Sequence, residues 1–193
     1  MLKSRVCCSL IGCVLAIATS AQTAPTGNAE SNAPEVFQLV QISDTVHALR
    51  LVNSAGDYDE WRLPYPVYRF CTGDVDGNGS EDALVGVVKA TRYHPEVGRR
   101  IFIFKNFHGK VRALWMGSKL GGILEDFRFT DGKVRAVERT TDGQYVVAEY
   151  RWDHFGMGFE RFLARNVTRE QAYQLFTQIS ATCEKQSSQS PQP

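Results

Sequence analysis

Residues 73–86 read Gly-Asp-Val-Asp-Gly-Asn-Gly-Ser-Glu-Asp-Ala-Leu-Val-Gly, and the pattern Asp74-x-Asp76-x-Asn78-Gly79-x-x-Asp82 sets oxygen at alternate positions of a short turn. The side chains of Asp74, Asp76, Asn78 and Asp82, with the backbone carbonyl of Ser80, make a set of hard oxygen donors. Ca²⁺ takes about six to eight such ligands in a flexible shell. A ligand at every second residue wraps an ion because the intervening side chains point away. Gly77 and Gly79 suit the positive-φ turns that this wrapping requires. Without a cation the three carboxylates repel one another, so the metal-free loop is expected to be loose. The spacing therefore predicts a calcium site with Asp74, Asp76, Asn78, Ser80 and Asp82 as its ligands.

An EF-hand begins the same way but needs a bidentate Glu at position twelve. Here that position is Val85, within the apolar run Ala83-Leu-Val-Gly-Val-Val88. The run is rich in β-branched residues, so the loop feeds a buried strand and not an exit helix. An Asp-rich loop followed at once by a Leu-hydrophobic-Val-Gly strand resembles the FG-GAP/VCBS-type repeat, the calcium-binding blade motif of integrin-α-like β-propellers. The resemblance covers Gly73 to Gly86 in a single copy, with no second Asp-x-Asp-x-Asn/Asp-Gly loop in the chain. It implies the same calcium ligands, Asp74, Asp76, Asn78 and Asp82, with Ser80 contributing its carbonyl. A propeller needs about four or more blades, more than this chain supplies.

Other chemistry is sparse. His47, His94, His108 and His154 form no HxH or HxxxH pair, and there is no Gly-x-Ser-x-Gly elbow, P-loop or dinucleotide fingerprint. The acidic groups Glu125-Asp126 and Asp57, Asp59, Glu60 read as solvated loop carboxylates, and no catalytic residue is assigned. Asn53 to Tyr65 reads as a long irregular segment, and Thr91 to Arg100 as a linking loop with the aromatic and basic groups common at contact surfaces. Trp115 and Trp152 are expected in the core. A net charge of +1 leaves no basic footprint for nucleic acid.

The elements that must hold the loop read mostly as strands. The fold class expected is mainly β, an antiparallel β-meander of hairpins, partial-propeller-like or sandwich, with one C-terminal α-helix. Asp-Gly and His-Gly pairs at 108–109, 131–132 and 142–143 punctuate alternating β-prone runs, a strong hairpin signal. Phe104–Leu114 and Phe127–Val137 share a Gly-Lys-Val-Arg-Ala core, a weak internal repeat. Thr168 and Gln171 form a capping box for a helix over 168–185, whose stripe Ala172, Leu175, Phe176, Ile179 and Cys183 faces the sheet.

The termini suggest export. Residues 1–21 have the basic start, apolar stretch and small-residue end of a signal peptide, too short to span a membrane. Leu10-Ile-Gly-Cys13 competes as a lipobox, which would place a lipid anchor on Cys13. Residues 22–34 form a flexible leader, 35–185 a single β-rich domain and 186–193 a disordered tail. Cys71 and Cys183 are the two cysteines outside the signal, a pair that in an exported chain favours a disulfide. It would close a loop of about 110 residues and restrict the unfolded chain by ~4–5 kcal/mol in the entropic view. The expected function is an exported calcium-binding β-domain, a binding or adhesion module of the bacterial cell envelope for a protein or glycan ligand. It would lie in the periplasm, on the cell surface or in the medium. A metal-dependent exported hydrolase and an accessory lipoprotein subunit of an envelope assembly are the alternatives.

Overall fold

The computed structural model describes residues 35–92, 94–117 and 119–178. The signal, the leader, the tail and Cys183 lie outside them, as does the expected course of the helix beyond 178. The described chain is a meander of eleven strands and one helix. The first sheet holds β1 (Val36–Ser43), β2 (Val46–Val52) and β3 (Tyr58–Leu63) in that order. The second holds β4 (Val67–Gly73), β5 (Asp82–Thr91), β6 (His94–Phe107) and β7 (Lys110–Met116). The third holds β8 (Ile123–Thr130), β9 (Lys133–Arg139), β10 (Tyr145–Asp153) and β11 (Gly156–Val167), again with sequence neighbours paired. All pairings are antiparallel, as the hairpin signals require. Helix α1 (Arg169–Gln178) follows.

Side-chain alternation arranges these sheets in layers. Phe37, Leu49, Leu51 and Leu63 of the first sheet pack with Ala83, Val85, Val87, Phe102 and Phe104 of the second. The opposite face of the second sheet, Leu84, Ile101 and Ile103, packs with Phe127, Phe129, Val134, Ala136 and Ala148 of the third. Val137 and Val147, on the far side of the third, meet Ala172 and Phe176 of α1. The second sheet is thus buried on both faces. That is why β5 and the middle of β6 read as continuous apolar runs instead of alternating ones. Each buried Phe or Leu contributes roughly 1.5–3 kcal/mol relative to exposure.

Close contact explains one glycine. A Cβ at Gly86 would lie 2.8 Å from the Tyr68 ring and 2.9 Å from Phe127, so the second and third sheets approach there only without a side chain. The repeat maps onto single hairpins, β6–β7 and β8–β9, which belong to different sheets. Their turns match closely: His108 and Asp131 have φ of 51° and 52°, followed by Gly109 and Gly132 at 72° and 70°. Two successive left-handed residues are the type I′ geometry that twisted hairpins favour.

Two segments differ from expectation. Residues 53–65 are irregular only at their ends: β3 occupies Tyr58–Leu63, and Trp61 lies tilted against Phe104, ring centroids 5.5 Å apart, half-buried against the core. The stretch 91–100 is not a linking loop either. β6 begins at His94, opposite Thr91, so this segment is the tight end of a long hairpin. In both, cross-strand pairing supplies order that local composition does not announce.

Candidate metal centre

The acidic loop spans 74–81, between β4 and β5, and its base is set by pairing of Gly73 with Asp82. Asp82 is the first residue of β5 and is fully buried, whereas Asp74 and Asn78 are exposed on the turn. Val75, buried inside the loop, anchors it in the core beside Phe129 and Leu84. Gly77 and Gly79 have φ of 74° and 85°, the left-handed region that the wrapping needed. Backbone amides orient the ligands. Asn78 N–H donates to Asp74 Oδ1 at 3.0 Å and Gly79 N–H to Asp74 Oδ2 at 2.8 Å. Ser80 N–H donates to Asn78 Oδ1 at 2.7 Å, and Val75 N–H to Asp82 Oδ2 at 2.9 Å.

The carboxylates of Asp74, Asp76 and Asp82 each offer an oxygen within 4.8 Å of the others. Asp82 Oδ1 is buried and has no hydrogen-bond partner among the described residues. Burial pushes the Asp82 carboxyl up to about 6, with the charges of Asp76 and Asp74 adding to the rise and the Val75 N–H opposing it. An orphaned buried acceptor costs free energy unless something compensates it. A divalent cation beside Oδ1 would do so, and the donors are hard oxygens throughout, the set that suits Ca²⁺. Of the residues named from spacing, Asp74, Asp76 and Asp82 bring carboxylate oxygens close together, and Asn78 and Ser80 lie on the loop between them. Sequence reasoning missed the roles of Val75 and the Val75 N–H, for which the signal is a lone apolar residue inside an otherwise polar loop.

Of the other acids, Asp57 is an exposed loop carboxylate as expected, whereas Asp59, Glu60, Glu125 and Asp126 lie on strands. Asp126 lies on β8, is nearly buried, and is gripped by Nε and Nη2 of Arg69. Glu125 receives Arg139 Nε at 3.3 Å. Asp59, on β3, accepts the Val111 N–H at 2.8 Å, and that bond holds its carboxyl below the usual range with help from Lys110. Cys71 is buried on β4, three residues before the loop, while Cys183 is outside the described residues. Trp115 is buried as expected, and Trp152 packs partly against the same core. No described helix is long and apolar enough to cross a membrane. No family model matches the chain, and no curated protein or solved structure was found similar to it.

Proposed function

We propose that this chain is an exported domain that binds Ca²⁺ in the 74–82 turn and uses it structurally, as part of a binding module of the bacterial cell envelope. The observation that carries the metal reading is the buried, unpartnered Oδ1 of Asp82 facing two further aspartates. Calcium would tie the turn to the first residue of β5, and so to the sheet buried at the centre of the layers. The resemblance of 73–86 to FG-GAP/VCBS-type blades supports the same ligands. The export signal supports a compartment where calcium is plentiful, and extracellular modules bind it at about 10⁻⁴–10⁻³ M. The envelope role rests on that signal and on a β-domain without an assigned catalytic group. Disulfide pairing of Cys71 with Cys183 belongs to the same reading.

Calorimetric titration of the purified protein tests the metal. Saturable binding by millimolar Ca²⁺, with a rise in melting temperature, is expected for the wild type. Both should vanish in Asp74→Ala and Asp82→Ala. No heat and no stabilisation at millimolar Ca²⁺ would end the proposal.

A further inference from the structure

On the face of the third sheet that carries α1, register sets Arg128 opposite Arg135, Arg135 opposite Glu149, and Glu149 opposite Arg161. One row across four strands thus holds three guanidiniums and a single carboxylate. Glu149 Oε1 accepts from Arg135 at 2.6 Å, and its Oε2 accepts from Arg161 at 2.8 Å. Both oxygens are committed away from β8. Arg128, at the β8 end, faces the like charge of Arg135 directly, an arrangement that repels. Asp126 is the acid nearest to it in sequence, and both of its oxygens are taken by Arg69.

Arg128 makes no ion pair among the described residues, and its buried Nε has no acceptor. Its guanidinium is nevertheless held in place, 4.4 Å over the ring of buried Phe176. Burial and the charges of Arg69 and Arg135 all disfavour its proton, with Asp126 only partly compensating. The residue as a whole remains partly exposed. Three arginines against one glutamate leave the row a surplus of two positive charges. A carboxylate would neutralise one of them. A phosphate monoester, with about −1.5 to −2 charge near neutral pH and three acceptor oxygens, matches the surplus and the forked donors.

We propose that Arg128, flanked by Arg135 and Arg69, is a binding site for a phosphate monoester group. Two sources carry this chemistry: a soluble ester and a monoester lipid headgroup. O-phosphoethanolamine serves as the soluble probe, because inorganic phosphate would precipitate with calcium. Phosphatidic acid vesicles serve as the lipid probe. Calorimetry and vesicle co-sedimentation at matched ionic strength should show saturable binding of one or both by the wild type. Arg128→Met, which keeps the apolar stem on Phe176, should weaken it about tenfold or more. Arg128→Lys, which keeps the charge and loses the fork, should fall between. Arg151→Met, removing a more exposed cation outside the row, should change nothing. Binding of the ester alone assigns a soluble ligand, and vesicle binding lost in Arg128→Met assigns a headgroup. Absence of saturable binding to both probes, or equal binding by a folded Arg128→Met protein, overturns the site. The calcium reading would survive that failure, since it is tested by a different ligand and different residues.

Discussion

At Asp82 a proton and the proposed calcium ion would compete for one side chain. Without a metal, burial pushes its carboxyl up to about 6, against 3.8 for an unperturbed aspartate. Its raised value means that the folded chain holds the proton more tightly than the unfolded chain. Its stabilising share is whole below about pH 4 and is lost as pH rises through about 6, a change of at most ~3 kcal/mol. In chelator, the melting temperature should therefore fall between pH 5 and pH 7.5. Calcium should restore it at pH 7.5 and do little at pH 5, where the proton already neutralises the group. Circular dichroism melts with Asp82→Asn alongside supply the check: that variant should show neither the fall nor the rescue. A wild-type profile that is flat in chelator contradicts this account. Glu149 shows the opposite behaviour. Burial pushes its carboxyl up, but hydrogen bonds from Arg135 and Arg161 outweigh that and leave it below its ordinary range. Its contribution is present above the unfolded value and disappears as pH falls through the lowered one.

Helix α1 is the element whose start is the most fully determined by local chemistry. Thr168 N–H donates to Gln171 Oε1 at 3.0 Å, and Gln171 N–H donates to Thr168 Oγ1 at 3.3 Å, the reciprocal bonds of a capping box. Ala172 and Phe176 then fall one turn apart on the buried face. Thr168→Ala should lower unfolding free energy by about 0.5–2 kcal/mol in urea titrations, with little change in the sheet signal below the transition. β11 illustrates the management of an open edge. Among the described residues it pairs with β10 alone, and register shifts interrupt that ladder at Tyr145/Val147, Val147/Ala148 and Glu149/Tyr150. Irregularities of this kind twist an edge and discourage another strand from adding to it. The exposed Phe159 and Phe162 rings on this strand lean against each other at a tilt, centroids 4.7 Å apart, instead of forming a flat template.

Across the whole molecule, the layers of three sheets and one helix depend on strands far apart in sequence. A bond between Cys71 and Cys183 would link the strand before the metal turn to the C-terminal end. Peptide mapping without reductant should recover that linked pair, and reduction should cost about 2–4 kcal/mol of stability. Free thiols at both positions in protein purified without reductant would remove this brace. The central sheet is the layer with most to lose. Its residues Leu84, Val85, Ile103 and Phe104 are fully buried, and its strands supply both interfaces.

The acidic turn, the hairpin turns and the capping box could be read from the chain because each is a short-range device. Its donors, acceptors and special φ values all lie within a few residues of one another. The all-antiparallel meander followed from the same signals, since an Asp-Gly turn between β-prone runs dictates its own pairing. Residues 53–65 and 91–100 misled because their strands owe their order to partners across the sheet, such as Leu49 for Trp61. Asp126 looked solvated until folding brought Arg69 to it from another sheet. Arg128 was invisible for the same reason: only register between strands sets it against Arg135, and only the third dimension lays it on Phe176. Local steric and hydrogen-bond rules act through the sequence directly, whereas burial and charge neighbourhood are properties of the packed layers.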